Sequence, residues 1–172
     1  TAITFEGSGV TTFDQNGTEA LRIDASGNVG IGESAPTRNL VIKDTDGQVD
    51  LGLVTSNTGV SALMFADTDD SNIGRIQYLH STNDLTFTAN DSEAMRIDSS
   101  GHVLVNTTDS SPENNSTGTS ADDGIALAPN GYGAFSRYAA NSGTGIPLCV
   151  NRTNADGDLI QFRKNGSIVG TI

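Results

Sequence analysis

The stretch EALRIDASGNVGIG, Glu19 to Gly32, returns as EAMRIDSSGHVLVN, Glu93 to Asn106, displaced by 74 positions. In the first copy Leu21 and Ile23 alternate with Arg22 and Asp24, and Val29 and Ile31 resume the alternation after a break. Period two on both sides of a break is the pattern of two strands that each bury one face. The break, Ala25-Ser26-Gly27, is a three-residue loop in which Gly27 takes the left-handed position closing a type I turn with a bulge. That loop sets the register: Asp24 opposite Asn28, Ile23 opposite Val29, Leu21 opposite Ile31, with the four apolar side chains on one face.

The second copy follows the same rule, with Met95 and Ile97 opposite Val105 and Val103 across Ser99-Ser100-Gly101. The likeness extends upstream, where TFDQNGTEA (Thr12 to Ala20) aligns with TFTANDSEA (Thr86 to Ala94). A degenerate third version is read in FRKNGSI, with Phe162 and Ile168 in the places of Ile23 and Val29, and Gly166 in that of Gly27. Between the first two copies, NIGRIQYLHSTNDLTFTAN reads as another hairpin, with Ile76 and Tyr78 on one strand, Leu85 and Phe87 on the other and Asn83-Asp84 near the turn. No helical periodicity runs through the first hundred residues, so the fold expected is all-β, built of short strands with glycine and Asx turns.

Only 35% of the 172 residues are apolar, 20 are glycine, and there is no Trp. A hairpin of this kind offers about four apolar side chains on one face and is marginal alone in water. Repetition lets such units bury their faces on neighbours. Two clear copies are few for a self-sufficient solenoid, so the expected solution is a homotrimer in which each chain closes the core of the others.

Acidic residues number 21 against nine basic ones, a formal charge of −12. Phosphate neutralisation needs clustered Lys and Arg, so nucleic acid is not an expected partner, and an anionic membrane surface is disfavoured by the same sign. The longest apolar run, ALMFA at Ala62 to Ala66, falls far short of the roughly 20 residues that span a bilayer. Cys149 stands alone in IPLCVN and reads as a small buried apolar residue. The chain opens at Thr1 without a methionine and reads as part of a longer product.

Three segments are expected: a repeated-hairpin segment over 1–105, a polar loop or linker over 106–124, and a C-terminal β segment over 125–172. The middle one, NTTDSSPENNSTGTSADDG, has no apolar residue larger than Ala. In the last, Phe135, Tyr138 and Ala139 have the spacing of a helical turn, although Gly131 and Gly133 suit a loop or strand edge equally.

The phrases EALRIDASGNVGIGESAPTRNLVIKD, EAMRIDSSGHVLVN and PLCVNRTNADGDLIQFRKNGSIVGTI resemble the distal regions of tail fibres of tailed bacteriophages. In that group a segment like the last phrase stands before a C-terminal chaperone that trimerises the fibre and then cuts itself off. The resemblance implies a non-enzymatic, elongated and intertwined homotrimer, β-prism- or β-helix-like, near the receptor-binding end of a fibre. It also implies a place on the virion outside the host cell, with other tail proteins and a host-surface glycan or protein as partners. The chain stops before any residues resembling the self-cleavage site.

Two other functions fit trimeric β architecture: a tailspike-like glycan depolymerase and a virion decoration or baseplate protein. A glycosidase needs two carboxylates about 5 to 9.5 Å apart. The glutamates are Glu6, Glu19, Glu33, Glu93 and Glu113; Glu19 and Glu93 hold equivalent repeat positions, which suggests pairing with Arg22 and Arg96. Asp69-Asp70 and the Asp156, Asp158 pair read as turn formers. His80 and His102 are isolated, and DTDGQVD and NADGD do not complete a calcium-loop pattern, so neither a resident metal nor a cofactor is expected.

For receptor contact the sequence points to NGYGAFSRY, where Tyr132, Phe135, Arg137 and Tyr138 set three rings and a guanidinium among glycines. The repeated apolar layers of the trimer are assigned to Leu21, Ile23, Val29 and Ile31, to Met95, Ile97, Val103 and Val105, and to Phe162 and Ile168.

Overall fold

In a computed structural model, residues 9–114, 123–137, 146–150 and 159–171 are described. Among these residues the fold is all-β apart from one 3-10 turn, Pro112–Asn114, and the chain divides into two compact units, Thr1–Gly52 and Leu53–Ile172. The two copies of the repeat thus fall in different units.

The first unit holds strands β1 (Thr11–Gln15), β2 (Thr18–Ile23), β3 (Val29–Ile31) and β4 (Leu40–Ile42), in that order across one sheet. β1 and β2 join through Asn16-Gly17, both left-handed (φ 51° and 81°), the two-residue turn whose twist suits a hairpin. Gly27, at φ 82°, closes the next turn as its place in the sequence predicts, and Leu21 faces Ile31 while Ile23 faces Val29. β4 then runs parallel to β3. Gly30 is buried in β3, where an added Cβ would collide with the backbone oxygen of Glu33; only glycine lets the chain fold back that closely.

The second unit holds a seven-stranded antiparallel meander. Its strands are β5 (Val60–Phe65), β6 (Gly74–Leu79), β7 (Asp84–Ala89), β8 (Ser92–Ile97), β9 (Val103–Val105), β10 (Gly124–Leu127) and β11 (Gly133–Ser136). Ile76 faces Phe87 and Tyr78 faces Leu85, and across Gly101 (φ 86°) Met95 faces Val105 and Ile97 faces Val103. The registers read for the two copies of the repeat are those the strands adopt, and the strands read around Ile76 and Leu85 pair as a hairpin.

The final hairpin, β12 (Gln161–Lys164) and β13 (Ser167–Thr171), corrects the third alignment. Phe162 faces Gly170, and Ile168 faces Arg163, so Phe162 and Ile168 are not a cross-strand pair. The turn is Asn165-Gly166 (φ 52° and 80°), and a register shift lies between Phe162 and Arg163. The same shift follows Phe13 in β1 and Phe87 in β7, and the same left-handed pairs, Asn16-Gly17 and Asn90-Asp91, make those turns. The third copy therefore repeats the upstream hairpin: Phe162 answers to Phe13 and Phe87, and Gly166 to Gly17. A glycine after three polar residues was matched to the wrong one of two glycine turns.

The 106–124 segment joins neighbouring strands of one sheet, since β9 pairs with β10. Its described part is ordered by short local bonds: the Asp109 N–H donates to Thr107 Oγ1 (3.1 Å) and the Ser111 N–H to Asp109 Oδ1 (2.9 Å). The 3-10 turn that follows packs against β10 and β11, with Pro112 buried. Phe135 lies in β11, so the helical-turn alternative fails, and Cys149 is exposed rather than buried.

Burial in the meander runs against hydrophobicity. Along β7, Asp84, Thr86 and Thr88 are buried, whereas Leu85 and Phe87 between them are not. Cross-strand register extends both faces. Ala62, Gln77, Thr86, Arg96, Leu104, Ala126 and Ala134 share the inner row, of which Thr86, Leu104, Ala126 and Ala134 are buried, and the 3-10 turn packs on the strands of the last two. On the other face one row reads Leu63, Ile76, Phe87, Met95, Val105, Ile125, Phe135, and none of its members is fully buried.

Candidate functional site

Two kinds of local construction recur in both copies. The first closes the glycine turn. Asp24 Oδ1 accepts from the Ser26 N–H (2.8 Å) and the Asn28 N–H (2.9 Å), while Oδ2 accepts from the Asn28 amide (3.1 Å). Asp98 Oδ1 likewise accepts from the Ser100 N–H and the His102 N–H, each at 2.9 Å, and Oδ2 lies 2.9 Å from His102 Nδ1. The backbone bonds, that of Asn28 foremost, hold the Asp24 carboxyl below the usual carboxylate range. Partial burial pushes Asp98 up, but the bonds from His102 and Ser100 together outweigh it and its pKa is also lowered.

The second is the pairing expected of the glutamates. Arg22 binds Glu19 through two bonds of 2.6 Å, and Arg96 binds Glu93 at 2.5 and 2.7 Å. These forked contacts span the bulge side of each hairpin, opposite the apolar row. Arg96 also reaches the buried Asp84 at 3.0 Å, a partner absent from the first copy, where Val10 stands at the corresponding position. Glu19 and Glu93 are thus consumed by structure.

The remaining acidic pairs serve turns. Asp67 Oδ1 accepts from the Asp69 and Asp70 N–H groups (2.9 and 2.8 Å), and Asp70 from the Asn72 N–H (2.8 Å). Asp156 and Asp158 lie outside the described residues. His80 Nε2 is 3.2 Å from Ser61 Oγ, a contact the sequence did not reveal because 19 positions separate the two. The Ser61 hydroxyl donates to the Leu53 carbonyl (2.8 Å), so the imidazole N–H is left to donate to Oγ, the reverse of a nucleophile and its base. Among the described residues no three His, Cys, Asp or Glu side chains group to hold a metal ion, and no helix is long and apolar enough to cross a membrane.

Within the receptor patch read from NGYGAFSRY, Tyr132 and Phe135 do not share a face. Tyr132 sits at the β10–β11 turn and its hydroxyl donates to Glu113 on the 3-10 turn, which raises the phenol's pKa because the bond retains the proton. Phe135 is exposed in the apolar row on the other face, between Ala134, which is buried, and Ser136. Arg137 is exposed beside a shallow groove of about 300 Å³, lined also by Asn106, Asp123, Ile125, Ser136, Ile146 and Pro147. Tyr138 lies outside the described residues. Strand alternation divides residues that neighbour one another in sequence.

The residues assigned to apolar layers do come together within each unit. In the first, Phe13, Leu21, Ile31 and Ile42 form one row and Ile23, Val29 and Leu40 a second, with Phe13, Ile23, Ile31 and Leu40 all exposed. In the meander, Met95 and Val105 belong to the row ending at Phe135, and Ile97 and Val103 to a second with Tyr78, Leu85 and Leu127. Phe162 and Ile168 are exposed in their own hairpin. Each of the two larger sheets therefore carries contiguous apolar rows on one face, and the periodic alternation had marked residues of both. No protein-family model matches the chain, and no curated protein matches it.

Proposed function

We propose that this chain is a structural and receptor-binding segment of a bacteriophage tail fibre, carried on the virion outside the cell as a homotrimer and attaching it to a host-surface glycan or protein. The observation that carries the reading is the reversed burial of the meander. Its inner face holds Ala, Gln, Thr, Asp, Arg and a single leucine, Leu104, while Leu85, Phe87, Met95, Ile97, Val103 and Val105 lie half-exposed on the other face. At about 25 cal/mol per Å² of apolar surface removed from water, covering such a face is the strongest driving force the molecule has left. Repeats of one hairpin suit a body extended along an axis, and a surface of net charge −12 suits one that stays dispersed outside its contacts.

Light scattering on the full product of the gene is expected to give three times the 17.8 kDa mass of this chain plus whatever else remains attached; a stable monomer would overturn the assembly. The purified trimer is expected to compete with virions for adsorption to host cells and to release no reducing sugar from host polysaccharide. Sugar release would favour the depolymerase.

A further inference from the structure

β5 is the last strand of the meander, and among the described residues no strand lies beyond it. Natural edge strands are protected by charge, proline, a bulge or a covering segment. β5, Val-Ser-Ala-Leu-Met-Phe, carries no charge and no proline, pairs with β6 without a register shift, and exposes Leu63, Met64 and Phe65, the last at 58%. Such an edge is a template for another strand.

The same chain holds an unused strand. Val49, Leu51 and Leu53 alternate with Asp50 and Gly52, a strand pattern, yet residues 48–56 belong to no ladder. Leu51 is 62% and Val54 95% exposed. The segment is tied to β5 by a side-chain bond, the Ser61 hydroxyl donating to the Leu53 carbonyl (2.8 Å), and by no backbone ladder.

We infer that Gln48–Val54 of one copy adds as a strand to the free edge of β5 in a second copy. The fit is both polar and apolar. A strand laid on β5 satisfies its outward N–H and C=O groups, and the Val49, Leu51, Leu53 stripe continues the open row beyond Leu63. Donor and acceptor are different segments, so the contact can run head to tail from copy to copy. A head-to-tail contact with a rotation of a third of a turn closes a ring of three, whereas β5 pairing with β5 would be self-complementary and close a dimer. The inference rests on the trimeric reading and supplies its strand exchange.

The test uses two differently tagged full-length chains, Leu51→Cys and Leu63→Cys, each also carrying Cys149→Ser, co-expressed and treated with a short bismaleimide. A heterotypic band joining the two tags at twice the mass of one chain, from a sample that light scattering shows to be trimeric, is the expected result. A trimeric sample with no heterotypic band, or with a band joining two Leu63→Cys chains, overturns the exchange and leaves the trimer standing. A monomeric sample overturns both. Leu63→Lys in the otherwise native chain is an independent check: strand content by circular dichroism is expected to persist while the trimer is lost, and an intact trimer would overturn the exchange.

Discussion

Gly30 and Leu104 stand at the same place in the two copies of the repeat, each directly across the ladder from the arginine that pairs with the local glutamate, Arg22 in one case and Arg96 in the other. From that shared position the copies part. Leu104 is buried in a small core with Ala126 and Ala134, whereas Gly30 lies against the Glu33 backbone as the chain turns toward the parallel strand β4. Gly30→Ala is expected to destabilise the first unit by about 1–3 kcal/mol, since backbone has to shift to admit one methyl. Thermal unfolding followed by circular dichroism reads it, and an unchanged midpoint would contradict the close approach.

Leu104→Ala removes the largest apolar side chain from the small core of the meander and is expected to cost about 2–4 kcal/mol. The loss registers in a denaturant midpoint, and a loss below 1 kcal/mol would show that the site collapses freely.

The hairpin aspartates make the protein sensitive to acid. The carboxyls of Asp24, Asp98, Glu19 and Glu33 all titrate below their usual values in the folded chain, so the unfolded chain binds more protons as pH falls. Their contribution is complete above the unfolded values near 4 to 4.5 and fades as pH falls through the lowered ones. The melting temperature is expected to hold from pH 7 to about 5 and to drop below 4. Asp98→Ala is expected to remove about 1–2 kcal/mol at pH 7 and to flatten that drop. An acid limb of unchanged steepness in the variant would deny Asp98 its role.

Asp91 behaves in the opposite sense. Its hydrogen bond with Asp70 raises its pKa, with desolvation and the Asp70 charge acting the same way. A raised carboxylate opposes folding once pH rises through it, and Asp91 also holds a left-handed φ of 58° where the first hairpin has Gly17. Asp91→Gly is expected to raise the melting temperature by about 2–4 °C at pH 7, and a lower midpoint would count against both causes.

Charge placed in the open rows tests assembly apart from folding. Ile97→Asp and Ile23→Asp are each expected to shift the mass from trimer toward monomer while strand content by circular dichroism persists. A trimer of unchanged mass and melting midpoint in either variant would remove its row from the interface.

Much of this architecture was legible because hairpins are local. Leu21 opposite Ile31 and Met95 opposite Val105 follow from loop length and period two alone, and so does the left-handed glycine of each turn. Three things were not legible, each for a physical reason. FRKNGSI satisfies the spacing of both glycine turns, and only the bulge after Phe162 decides between them. Alternation sets Tyr132 and Phe135 on different faces although three positions separate them, a division the run NGYGAFSRY does not announce. The contact of Ser61 with His80 crosses from β5 to the end of β6, and nothing in either neighbourhood announces the other.

The aspartate that closes each glycine turn does so through contacts no more than four residues away. A turn that depends on so short a stretch carries its own folding instructions, and it works whether the strand after it pairs in parallel, as β3 does, or antiparallel, as β9 does. Such a piece can be duplicated, moved or lost in a single genetic event without redesigning what surrounds it. Length then becomes a heritable trait that changes in steps of one module.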